Sequence, residues 1–136
     1  MRNRAVFAAA VLASIAMGCG RKPARATLPP PLKTVAKGWT EDGIASWYGH
    51  PYHGRKAANG ETYDMNKMTA AHKTLPFGVW VEVRNKRNSR KVEVRITDRG
   101  PFVEGRIVDL SRAAAEKIDL IRPGTAPVRI RVVKTP

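Results

Sequence analysis

The sequence predicts a mainly β domain, a small barrel carrying one short helix, and three alternating stretches carry that prediction. Val79, Val81 and Val83 share one face, with Trp80, Glu82 and Arg84 on the other. Val92, Val94 and Ile96 oppose Lys91, Glu93 and Arg95 in the same way, and Val128, Ile130 and Val132 oppose Arg129 and Arg131. Side chains alternate across a strand with period two, so each stretch has one buried face and one wet face. Strands of this kind build an antiparallel or barrel-like sheet.

The elements follow in chain order. Arg2 and Arg4 precede an uncharged apolar stretch, Ala5 to Met17, too short for an ordinary membrane span. Residues 1–18 therefore read as an export signal. Ala16-Met17-Gly18-Cys19 resembles a bacterial lipobox, although leucine is usual where Ala16 stands. Cys19 is the only cysteine, which excludes an intramolecular disulfide and is better explained by acylation; plain secretion after cleavage is the alternative. From Gly20 to Lys37 the chain holds five basic residues, four prolines and no acid. Residues 19–37 thus read as a lipidated cysteine followed by a disordered, extended linker. Residues 38–136 form one domain.

Within it, short strands are predicted at Ile44 to Tyr48, near Ala70 to His72, and at Arg106 to Asp109. Asn85 to Arg90 joins two of the alternating strands, with Asn88-Ser89 as the turn. Ser111 is placed to cap a helix over Arg112 to Ile118, where three alanines in a row supply propensity. Pro123-Gly124 then breaks the chain before the last strand.

Without residues 1–18, 23 basic residues face 11 acidic ones. That excess points to an anionic partner, or to a solvated face. Export argues against nucleic acid and towards envelope carboxylates or lipid headgroups. No metal-ligand spacing and no phosphate-binding glycine loop appears, so no metal and no cofactor is expected.

Chemistry-bearing residues gather in two segments. Ile96-Thr97-Asp98-Arg99-Gly100-Pro101-Phe102 ends a strand on a carboxylate before a Gly-Pro turn. Asn59-Gly60-Glu61-Thr62-Tyr63-Asp64 lies upstream, with His72 shortly after. Two carboxylates and an imidazole suffice for acid–base work on a sugar. Taken singly, Asp98 reads as a turn cap, Glu61 as an exposed turn residue and His72 as a satisfied core histidine.

These segments resemble the RlpA (rare lipoprotein A) family of bacterial cell-wall proteins. The likeness runs through Gly43-Ile44-Ala45-Ser46-Trp47-Tyr48-Gly49, His53-Gly54-Arg55, Ala58-Asn59-Gly60-Glu61, Tyr63-Asp64-Met65 and Thr69-Ala70-Ala71-His72. It continues through Leu75-Pro76-Phe77-Gly78, Thr97-Asp98-Arg99-Gly100-Pro101 and Arg106-Ile107-Val108-Asp109-Leu110-Ser111. The resemblance implies a six-stranded double-psi β-barrel, the fold shared with expansins. It also implies endolytic lytic transglycosylase activity on peptidoglycan glycan strands lacking stem peptides. In that reaction the muramyl C6 hydroxyl attacks its own anomeric carbon, leaving a 1,6-anhydro end. One carboxyl group can protonate the leaving oxygen and then accept the hydroxyl proton, provided that it starts protonated.

By that resemblance Asp98 is the acid/base, Glu61 sits across the cleft from it, and His72 bonds within the same site. Arg99 is expected to point away from Asp98, towards a substrate carboxylate such as the muramyl lactyl group. Trp47, Tyr48, Tyr52 and Asn59 complete the substrate-binding set, with stacking on sugar faces as the aromatic role. Asp109 and Asp64 read as structural. Many members carry a C-terminal SPOR domain, whereas this chain ends at Pro136 after its last strand, so septal targeting is in doubt. The expected setting is the periplasmic face of the outer membrane, as a monomer held through Cys19 and with no nucleic-acid partner. The alternative is a non-catalytic, glycan-binding envelope lipoprotein on the same barrel.

Overall fold

A computed structural model describes residues 29–136. The signal at 1–18, Cys19 and the first part of the linker lie outside the described residues. Six strands and one helix make up the domain: β1 (Thr40–Tyr48), β2 (Thr69–His72), β3 (Trp80–Asn85), β4 (Lys91–Asp98), β5 (Arg106–Ser111), α1 (Arg112–Lys117) and β6 (Ala126–Lys134). A single 3-10 turn, His50–Tyr52, leaves β1.

The strands close into a barrel in the order β1-β5-β2-β4-β3-β6. Two pairs, β1 with β5 and β2 with β4, are parallel, and the other four are antiparallel. Closure leaves no free sheet edge. The inward row is mainly apolar, with His72 and Asn85 buried at strand ends. Ala45, Ala70, Val81, Val83, Val94, Ile96, Val108, Leu110, Val128, Ile130 and Val132 are all buried together.

Each strand expected from the sequence is present, most with longer ends, although β3 starts at Trp80 rather than Val79. β1 begins at Thr40 because Thr40 and Asp42 pair with Arg131 and Arg129 of β6. β5 runs on to Ser111, which pairs with Tyr48 and also caps α1, accepting from the Ala114 amide at 3.2 Å. The last residues of the linker are tied down as well. The Leu32 amide donates to the Thr74 carbonyl, the Gly38 amide donates to that of Val132, and Val35 packs on the core.

Two bulges set which way the strand ends face. Ala70 pairs with Ile96 but Ala71 pairs with Asp98, so Thr97 is the extra residue. Ile44 pairs with Arg106 but Ala45 pairs with Val108, so Ile107 is the extra residue. A bulge re-aims the side chains beyond it. These two place Asp98 and Asp109 in one row, on either side of Ala71.

Candidate active site

That row is the floor of the site. Reading across four strands, it runs Asp98 (β4), Ala71 (β2), Asp109 (β5) and Ser46 (β1). Core residues Ala70, Leu110 and Ala45 flank it in sequence, so the row faces away from the barrel interior. With strands about 4.8 Å apart, the two aspartate backbones lie about 10 Å from each other. Only the methyl group of Ala71 stands between them. Above this floor opens a cleft of about 790 Å³, walled by Trp47, Tyr48, Tyr52, Tyr63, Phe102 and several basic side chains.

Asp98 is held from one side. Its Oδ1 accepts from the Ala58 amide at 2.9 Å and from the Arg99 amide at 2.8 Å. The loop supplying Ala58 is itself pinned to β4, since the Asn59 amide donates to the Thr97 carbonyl. No partner for Oδ2 occurs among the described residues, so one oxygen is anchored and the other is not. Asp109 is bonded to Ser46 Oγ and lies 2.6 Å from Arg106 Nη2, which also contacts Ser46 Oγ.

The aromatic wall is layered. Tyr48 stacks on Tyr63 with centroids 4.4 Å apart, and Tyr52 meets Tyr48 edge-on at 5.8 Å. Tyr63 donates its hydroxyl to the Tyr48 carbonyl at 2.6 Å. The Tyr48 hydroxyl is buried, with no partner among the described residues. Burial first, then the charges of Asp98, Tyr63 and Asp109, hold that phenol far above the ordinary tyrosine range. Burial likewise pushes Tyr63 up to about 12. Trp47 lines the cleft and also packs on the core, seated by Gly49, where a Cβ would come within 2.8 Å of the indole.

Not every residue expected at the site is there. His72 is turned the other way: it follows Ala71 in the strand, so its side chain takes the opposite face and is buried at 2% exposure. Its Nδ1 accepts from the Thr74 and Leu75 amides at 3.1 and 3.0 Å, and its Nε2 reaches Glu41 Oε1 at 3.1 Å. The expectation that His72 bonds within the site is therefore corrected. Glu61 is not among the cleft-lining residues either. Arg95 grips it with two hydrogen bonds of 2.8 and 2.7 Å, and that contact holds its carboxyl below the usual range. Asn59 accepts from the Glu61 amide and tightens the same turn instead of facing the cleft.

Arg99 does point away from Asp98. Its guanidinium donates to the carbonyls of His72 and Leu75, at 3.2 and 2.8 Å, and lies 3.9 Å over the Phe77 ring. It is thus committed to backbone rather than waiting for a substrate carboxylate. Conversely, Asp109, Ser46, Arg106 and Phe102 belong to the site although sequence reasoning did not put them there. Nothing local distinguishes Asp109; only the Ile107 bulge and the pairing with Ala71 bring it in.

A family model described as lytic transglycolase matches residues 40–130. The chain belongs to that family. Among curated relatives, the endolytic peptidoglycan transglycosylase RlpA of Campylobacter jejuni is 60% identical over 99 residues, covering 73% of this chain and 36% of the relative. Its counterpart from Vibrio cholerae is 58% identical over 97 residues, covering 71% and 37%. The chain thus spans little more than a third of the length of these relatives. Among solved structures, a Streptomyces papain inhibitor superposes with a TM-score of 0.60 at 24% identity, covering 74% of this chain and all of that one. An expansin of Clavibacter michiganensis gives 0.56 at 20% identity, over 72% and 52%. These likenesses establish the barrel as the expansin-like, double-psi type.

Proposed function

We propose that this chain is an endolytic lytic transglycosylase that cuts the bond between N-acetylmuramic acid and N-acetylglucosamine in peptide-stripped peptidoglycan strands, leaving 1,6-anhydro ends. Asp98 carries the reading. Its carboxyl is fixed through Oδ1 by two backbone amides, with Oδ2 unpartnered among the described residues at the floor of a cleft long enough for sugar rings. Asp98 donates its proton to the leaving glycosidic oxygen. The resulting carboxylate then takes the proton of the attacking C6 hydroxyl, so no water enters and one group serves twice. Asp109, kept ionically engaged by Arg106, supplies the second negative charge facing the electron-poor anomeric carbon. Glu61 acts at one remove, bracing the turn whose Ala58 amide orients Asp98.

The family membership and the names of the relatives support this reading, as does the cleft's charge. Arg55, Lys56, Arg106 and Arg112 outnumber Asp98 and Asp109 along its walls, with Arg99 turned to backbone carbonyls. Such a lining suits a chain of sugars bearing lactyl carboxylates. A lipid anchor on Cys19, residence at the periplasmic face of the outer membrane and a monomeric state complete the proposal. They rest on the lipobox-like run and the basic, proline-rich segment after it.

The test is mass spectrometry of the products formed from peptide-free glycan strands, with Asp98→Asn alongside. The asparagine keeps an oxygen for the Ala58 and Arg99 amides, so the fold is retained while the proton donor is lost. Anhydromuramyl-ended fragments should form with the natural chain and fall by a factor of about 100 or more with the variant. Binding without fragments from either protein would leave the alternative, a non-catalytic glycan-binding barrel.

A further inference from the structure

Phe102 is 72% exposed, the most exposed large apolar side chain among the described residues, and yet it lines the cleft that contains Asp98. Its position is set from beneath. Gly100 has φ +130, a conformation that suits glycine, and a Cβ there would meet the Phe102 ring at 3.4 Å. The ring therefore lies against the Gly100 backbone with its remaining surface open to solvent. Phe102 stands just past the Gly-Pro turn that follows Asp98, and both side chains line the same cleft.

The surroundings decide what kind of ligand fits. A surface for docking a protein continues as an apolar patch. Here Val103, 51% exposed, is the sole exposed apolar neighbour in the loop, and Glu104 follows it. The cleft that the ring lines also carries hydrogen-bonding groups, among them Arg55, Lys56, Arg99, Arg112 and Tyr52. An exposed ring on a cleft that mixes apolar and hydrogen-bonding groups matches a pyranose, whose C–H face is apolar and whose rim is polar. Tyr52, half exposed on the 3-10 turn, lines the same cleft, but the Arg55 guanidinium lies 5.8 Å over its ring. Tyr63 already covers the face of Tyr48.

We propose that Phe102 is a substrate-binding platform on which the acetamido sugar next to the bond being cut stacks. This deepens the transglycosylase reading and rests on it.

The experiment measures calorimetric affinity for a peptide-free glycan tetrasaccharide in the chain carrying Asp98→Asn, which binds without cutting. Adding Phe102→Ala should weaken binding about fivefold to tenfold, while Phe102→Tyr stays within about twofold of the parent. Melting temperatures should be unchanged in both, since the ring is exposed. Full affinity in the alanine variant, or an equal loss in the tyrosine variant, would overturn the platform and leave the enzyme reading intact. If the Asp98→Asn parent binds no glycan, the substrate assignment itself fails and takes the platform with it.

Discussion

His72 and Asp98 sit at the ends of paired strands, and the difference between them is which face each side chain takes. Asp98 follows the Thr97 bulge and shares its face with Ala71; His72 is the next residue along from Ala71 and turns inward. Two amides and Glu41 engage both nitrogens of the imidazole, and Trp39 meets it edge-on at 6.1 Å. Removing that ring would strand the Thr74 and Leu75 amides and open a cavity beneath the loop that also receives Arg99. His72→Ala should therefore lower unfolding free energy by about 3 kcal/mol, read as a shift in urea midpoint. An unmoved midpoint accompanied by a loss of turnover would instead mean a catalytic histidine. The strand-end carboxylate was legible because a Gly-Pro turn follows it, whereas Glu61 and His72, grouped with it in the sequence, do not line the cleft. Facing was not legible, because one extra residue in a bulge reverses it.

At the scale of elements, period-two patterning located β3, β4 and β6 because each has one wet face. β2 was harder to see: all four of its residues are buried, which removes the alternation. Strand order was not legible at all, since β1 with β5 and β2 with β4 are parallel pairs joined by long crossovers. The end of α1 falls at Ile118, as expected from the sequence, and the logic of its closure is local. Ile118 ends the helix, the Leu120 amide returns to the Ala115 carbonyl at 2.9 Å, and the Asp119 amide returns to that of Glu116 at 3.2 Å. This is a Schellman closure, with Leu120 and Ala115 both buried. Its left-handed position is occupied by Asp119 at φ +58, where glycine is unstrained. Asp119→Gly should stabilise the domain by about 0.5–1 kcal/mol, seen as a higher midpoint in thermal melts. A lower midpoint would mean that the aspartate carboxylate makes a contact worth more than the backbone strain.

At the scale of the whole domain, two groups of charges among the described residues behave differently. On the barrel wall, Asp42 binds Arg129 and Lys86, and Glu82 faces Arg131, so part of the charge is neutralised in pairs. In the cleft, five cationic side chains meet two carboxylates, one of them already taken by Arg106. A glycan entering there meets a positive field whether or not it carries charge, but only a muramyl sugar offers a lactyl carboxylate in return. The Debye length falls from about 10 Å in 0.1 M salt to about 3 Å at 1 M, so this attraction is screened where stacking and hydrogen bonding are not. Peptide-free muramyl glycan should thus bind several-fold more tightly than an N-acetylglucosamine oligomer of equal length at low salt, a gap that calorimetry should find mostly closed at about 0.5 M. Equal affinities at low salt would show that the lactyl carboxylate meets no cation in the cleft. A gap that persists at high salt would assign the preference to shape, with the charge left to attract the strand from a distance.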